Sequence, residues 1–217
     1  MKYVIICAGG PESEITDLTE FSQENTVFIG ADRGALHLLE KGIIPHEAVG
    51  DFDSISEDEF GTIKKAVDIV GQFRSEKDET DTELAVTRAL SYDPEQIILT
   101  GVTGGRLDHM ESALHLLYRL QIENPAILFT IRNRLNELSM LLPTVHELEP
   151  IRHLPYVSFF PFGGPVTGLT LTGFKYETVD ATLETGITRF TSNELATCSC
   201  TISFLEGICL MVRSSDA

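Results

Sequence analysis

Ala48-Val49-Gly50-Asp51-Phe52-Asp53-Ser54 reads as the end of a buried strand running out into an acidic loop. The apolar pair belongs to the strand, and the glycine allows a tight turn or a close backbone approach. On extended backbone, residues two apart point to the same side, so Asp51 and Asp53 face one space. Two ionised carboxylates at close range repel each other, and a hard divalent cation relieves the repulsion. The competing reading is a polar turn whose Asp and Ser cap the next helix. Two segments downstream weigh toward a site: Lys77-Asp78-Glu79-Thr80-Asp81 and Gly104-Gly105-Arg106-Leu107-Asp108-His109.

Around that loop the chain alternates strand-like and helix-like stretches. Residues 4–8, 26–30, 68–70 and 97–100 are apolar runs of strand length, and another short strand ends at Val49. Residues 32–41 carry Ala35, Leu38 and Leu39 at helical spacing and stop at Gly42. Ser56 with Glu59 is a capping-box pair that opens a helix to about residue 66, and Thr80 with Glu83 opens another through residue 90. Apolar residues at 107, 110, 113, 114, 117 and 120 give a helix with one buried face. This alternation predicts a mostly parallel sheet with helices on its faces. Such sheets bind ligands at the carboxyl ends of their strands, where Asp32, Asp51, Asp53, Asp78, Asp81 and the segment 103–108 all fall.

Beyond about residue 124 strands dominate: 126–132 and 138–142 around a turn at 133–136, then 157–160, 166–171, 174–176, 196–204 and 208–212. Glu206-Gly207 reads as a hairpin turn between the last two, and 146–153 as a loop. The expectation is an α/β domain over 1–130 followed by an all-β sandwich over 131–217.

The chain has 217 residues, 42% of them hydrophobic, with a formal net charge of −17. That length and composition suit a globular core. The acidity excludes nucleic-acid or anionic-membrane binding driven by the overall field. It does not exclude a nucleotide, because a local Mg²⁺ and a few basic groups offset phosphate charge. Cys7, Cys198, Cys200 and Cys209 form no zinc-like pattern. They read as buried free thiols of a reducing compartment, with Cys198 and Cys200 on one strand face. The apolar run at the N-terminus is too short for a signal core or a membrane span, so a soluble cytoplasmic protein is expected.

The chemistry follows from the residue types. Asp78 and Asp81, three apart at a helix start, share a face, although plain capping places acids there too. Glycines between a strand and a helix free backbone N–H groups for an anion, and Arg106 can grip a phosphate with two prongs. Neither a Walker A nor a dinucleotide-binding glycine pattern is present. His109 reads either as a nucleotide contact or as a structural histidine. Carboxylates for a cation beside a Gly-Arg loop are the equipment of phosphoryl-type transfer.

These segments, together with Ala31-Asp32-Arg33-Gly34-Ala35, the stretch 168–176 and Thr191-Ser192-Asn193-Glu194, occur in the order found in bacterial thiamine pyrophosphokinases, and the chain resembles that family over nearly its whole length. The resemblance implies that pyrophosphate passes from ATP to the hydroxyethyl oxygen of thiamine, giving thiamine diphosphate and AMP. It implies Mg²⁺ on Asp51, Asp53, Asp78 and Asp81, with Asp32 and Asp108 as further acids of the site, one carboxylate of the set taking the hydroxyl proton. Lys77, Thr103, Gly104, Gly105, Arg106 and His109 would serve ATP, and Ser192 and Asn193 thiamine. A homodimer with active sites shared between subunits is implied as well. Arg33 stands where many members carry glycine. The alternatives are a pyrophosphokinase for another alcohol, such as a hydroxymethyl pterin, and a non-catalytic nucleotide or thiamine sensor.

Overall fold

A computed structural model of the chain describes residues 2–21, 24–72 and 79–217. It divides into two compact units, one of residues 1–116 with 126–134 and the other of 117–125 with 135–217. The first is built on parallel strands in the order β6-β5-β1-β2-β3-β4. These are β1 (Tyr3–Cys7), β2 (Thr26–Ala31), β3 (Glu47–Gly50), β4 (Ile69–Gln72), β5 (Gln96–Thr100) and β6 (Leu128–Arg132). The helices between them are α1 (Gly34–Glu40), α2 (Glu57–Ala66), α3 (Asp81–Leu90) and α4 (Leu107–Glu123), the last continuing into residues of the second unit. Both anticipated capping boxes form, Ser56 with Glu59 and Thr80 with Glu83.

The central strands read as continuous apolar runs because they are covered on both faces. Val4, Ile5 and Ile6 of β1 and Ile97 and Leu99 of β5 are fully buried. Each such side chain contributes about 1.5–3 kcal/mol of transfer free energy. One core cluster joins Ile5, Phe28, Leu38 and Ile98, and another joins Ala35, Ala48, Phe52 and Ile63.

The second unit holds two antiparallel sheets. One is ordered β12-β9-β14-β7, from β7 (Asn136–Leu141), β9 (Tyr156–Pro161), β12 (Asn193–Glu194) and β14 (Cys209–Ser214). The other is ordered β11-β10-β13-β8, from β8 (Val145–Leu148), β10 (Val166–Thr172), β11 (Thr178–Leu183) and β13 (Cys200–Ser203). A single apolar cluster takes Val157, Phe159 and Met211 from the first sheet and Leu169, Leu171 and Ile202 from the second, which makes the unit a sandwich. The α/β-then-β order matches the expected fold class.

Several local readings need correction. The turn at Glu206-Gly207 is not a hairpin between paired strands: β13 pairs with β10 and β8, whereas β14 pairs with β7 and β9. The chain crosses from one sheet to the other there. Residues 145–148 form β8 rather than part of a loop, and β11 was not anticipated. All four cysteines are free, but Cys198 is exposed, because β13 begins only at Cys200. Among the described residues, no helix is long and apolar enough to cross a membrane.

Candidate functional site

The carboxyl ends of β1, β2, β3 and β5 and the start of α3 surround a cleft of about 840 Å³. It lies wholly within the first unit, and Asp32, Asp51, Asp53, Asp81, Thr103, Gly105, Arg106 and His109 line it. A smaller cavity of about 350 Å³ sits at the opposite strand ends, lined by Lys2, Thr26, His46 and Glu95 among others, and holds no comparable set of groups.

Among the described residues, Asp32, Asp51 and Asp81 each offer a carboxylate oxygen, and these oxygens lie within 4.8 Å of one another. Three elements bring them together. Asp32 directly follows β2 with φ 49°, a left-handed conformation that Asp tolerates better than most residues. Its backbone N–H donates to Val49 O at 2.9 Å, and its Oδ1 accepts from Phe52 N at 3.0 Å, so β2's end is tied to the loop after β3. A Cβ at Gly50 would collide with that Oδ1, which explains the glycine. Asp51 Oδ1 accepts from Asp53 N at 3.0 Å. Asp81 is the first residue of α3, set by the Thr80 cap.

Burial, with the nearby Asp81 and Asp51 carboxylates, pushes Asp32 up to about 7 despite the Phe52 hydrogen bond. The charge of Asp51 raises Asp53, which is fully exposed. Crowded carboxylates of this kind make a candidate cation site. Opposite oxygens stand about 4.2 Å apart across Mg²⁺ and about 4.8 Å across Ca²⁺, so oxygens within 4.8 Å are at or near the span of one hard cation.

The anticipated residues fare unequally. Asp32, named as a further acid, stands inside the cluster, whereas Asp53 points from the same loop without joining it. Lys77 and Asp78 lie outside the described residues. The Thr103 hydroxyl is taken up locally: it donates to Glu14 Oε2 at 3.2 Å and accepts from Asn133 Nδ2 at 2.8 Å. Gly104 packs against the Glu14 side chain. Asp108 is paired with Arg106 at 2.5 Å, both exposed, and the guanidinium holds its carboxyl below the ordinary range. Arg33 Nη2 donates to Ser54 O at 3.1 Å, beside Glu59.

Ser192 and Asn193 belong to the second unit. Ser192 has φ 55° and its N–H donates to Ser158 Oγ at 2.9 Å. Buried Asn193 bonds to backbone on both sides of its amide: Oδ1 accepts from Tyr176 N at 3.0 Å and Glu194 N at 2.9 Å, and Nδ2 donates to Tyr176 O at 2.8 Å.

Sequence reading missed three residues that shape the cleft. Glu14 and Asn133, bonded to each other, hold the Thr103 hydroxyl, and the Glu14 side chain packs against Gly104. Buried His37 donates from Nε2 to Gly10 O at 3.1 Å at the cleft wall. Only the Gly9-Gly10-Pro11 run after β1 carried a signal for this region, since a loop there must pass close to its neighbours.

Residues 18–129 match a family model described as "Thiamin pyrophosphokinase, catalytic domain", and residues 145–209 one described as "Thiamin pyrophosphokinase, vitamin B1 binding domain". The sequence is 42% identical over 216 residues to a thiamine pyrophosphokinase of Bacillus subtilis, with both chains covered in full. A crystal structure of thiamine pyrophosphokinase from that organism superposes with a TM-score of 0.91, again over 100% of each chain. One from Geobacillus thermodenitrificans, 36% identical, gives 0.90 over 100% of this chain and 99% of its own. This chain belongs to the thiamine pyrophosphokinase family.

Proposed function

We propose that the chain is a thiamine pyrophosphokinase that forms thiamine diphosphate and AMP from thiamine and ATP. The observation that carries this reading is the convergence of Asp32, Asp51 and Asp81 in a cleft that also presents the Arg106 loop. The thiamine hydroxyl oxygen bonds to the β-phosphorus of ATP, the bond from that phosphorus to the α,β-bridging oxygen breaks, and AMP leaves with the electron pair. The hydroxyl proton passes to a site carboxylate or to water. These carboxylates would hold a Mg²⁺, with Asp53 and Asp78 as the further ligands that the resemblance implies, and the ion would supply positive charge against the triphosphate.

The chain's own groups bind and orient. Gly105 and the start of α4 offer backbone N–H groups to phosphate oxygens, and Arg106 adds a guanidinium once ATP competes with Asp108 for it. Lys77, Thr103, Gly104 and His109 complete the nucleotide side. Asn193 acts on thiamine through the backbone it fixes, and exposed Ser192 contacts the ring. The active form is a cytoplasmic homodimer whose sites are shared between subunits.

Incubation of the pure protein with ATP, Mg²⁺ and thiamine, followed by product analysis, tests this. AMP and thiamine diphosphate in equal amounts are expected. ADP with thiamine monophosphate would replace the proposal with an ordinary kinase, and no thiamine-dependent ATP consumption would remove it.

A further inference from the structure

Glu47 is a carboxylate on β3, a strand buried at every residue, and is itself 2% exposed. A charge there requires partners. Arg88 supplies a two-pronged contact, Nε to Oε2 at 2.6 Å and Nη2 to Oε1 at 3.1 Å, and the Tyr92 hydroxyl donates to Oε1 at 2.6 Å. Burial first, and Glu47 second, push the Tyr92 phenol up to about 12, so it remains a donor near neutral pH. Arg88 is in the last turn of α3, and Tyr92 just follows the helix.

The other ends of these two elements are the cation site. From Glu47 the strand runs four residues to Asp51, about 13 Å. From Arg88 the helix runs back seven residues to Asp81, about 10.5 Å. Pinned together at one end, strand and helix therefore bring their carboxylates to nearly the same level, where oxygens of Asp51 and Asp81 come within 4.8 Å. Apolar packing of a helix on a sheet is non-directional and does not by itself set that register. A bidentate guanidinium–carboxylate pair does. Glu47 is buried but the Arg88 side chain is 46% exposed, and such an ion pair adds little stability over an apolar replacement, so its value here is geometric.

We infer that Glu47, Arg88 and Tyr92 form a positioning clamp that holds α3 in register on β3, so that Asp81 meets Asp51 and Asp32 at the spacing one divalent cation requires. The inference rests on the proposed reading of that trio as the cation site.

The test is Mn²⁺ titration of the full chain, read by the loss of free-Mn²⁺ paramagnetic resonance signal. The proteins are wild type, Asp81→Asn, the double variant Glu47→Gln/Arg88→Met, and Tyr92→Phe. The double variant leaves no unpaired buried charge. It is expected to melt cooperatively yet bind Mn²⁺ at least about tenfold more weakly, the loss usual when groups orienting a metal ligand are removed. Its Mn²⁺ requirement for turnover should rise by the same factor while the thiamine KM stays within twofold. Tyr92→Phe keeps the ion pair and should weaken Mn²⁺ binding two- to threefold; it decides the matter if the double variant does not fold. Loss of Mn²⁺ affinity in Asp81→Asn but wild-type affinity in the clamp variants overturns the clamp alone. Equal affinity of wild type and Asp81→Asn overturns the cation site and the clamp with it.

Discussion

Asp32 concentrates the electrostatic problem of this fold in one side chain. Its carboxyl is raised from 3.8 to about 7 chiefly by burial, then by Asp81 and Asp51. The folded chain thus holds a proton that the unfolded chain releases in that window. Stability is accordingly lost as pH rises from about 4 to about 7. Asp32→Asn removes this cost, keeps an oxygen for Phe52 N, and suits the left-handed backbone. In metal-free buffer at pH 8 the variant should melt a few degrees above wild type, with the gap closing toward pH 4. Turnover should fall at least about a hundredfold. Melting curves across pH in chelator check the first point, and a variant less stable than wild type at pH 8 would refute it. Asn193 poses the opposite case, a buried side chain that makes three hydrogen bonds to backbone. Asn193→Ala should cost about 1–3 kcal/mol in urea unfolding, because it strands the Tyr176 N–H and C=O. It should also raise the thiamine KM far more than the ATP KM; an equal rise in both would detach this segment from thiamine.

At the scale of elements, α1 must lie close against β1 for Asp32 to face the cleft. A Cβ at Gly34 would strike the Cys7 carbonyl oxygen, which is backbone and cannot step aside. Gly34→Ala should destabilise by about 1–3 kcal/mol in urea unfolding and lower turnover with it; an unchanged midpoint would show that α1 yields freely. This scale also explains what could be read in advance. Capping boxes and apolar runs are local, so α2, α3 and the parallel strands were legible. The carboxylates at strand ends followed from that topology. The membership of Asp32 in the trio depends on its φ and on Gly50, which no local pattern reveals. The role of Glu47 is not legible in the sequence, because an acid in a buried strand is recognisable only beside its partners on and just after α3, forty-one and forty-five residues away. The β11 and β8 strands carry polar, half-exposed sequences without a clear alternation. The turn at Glu206-Gly207 announced a reversal but not a change of sheet, since sheet partners are set by long-range packing.

For the whole molecule, a net charge of −17 sets a field that opposes a triphosphate. On the proposed reading, binding ATP therefore falls to local groups: a cation that Asp32, Asp51 and Asp81 would hold, and the Arg106 loop. The sandwich unit carries none of these carboxylates and is assigned to thiamine. Removing one carboxylate should then abolish chemistry without altering the acceptor site. The decisive measurement is thiamine-dependent AMP formation by wild type and Asp51→Asn in parallel, with thiamine varied at saturating ATP and Mg²⁺. The account predicts a fall of at least about a hundredfold in kcat with the thiamine KM little changed. A variant within threefold of wild-type kcat would contradict it and place the chemistry elsewhere in the chain.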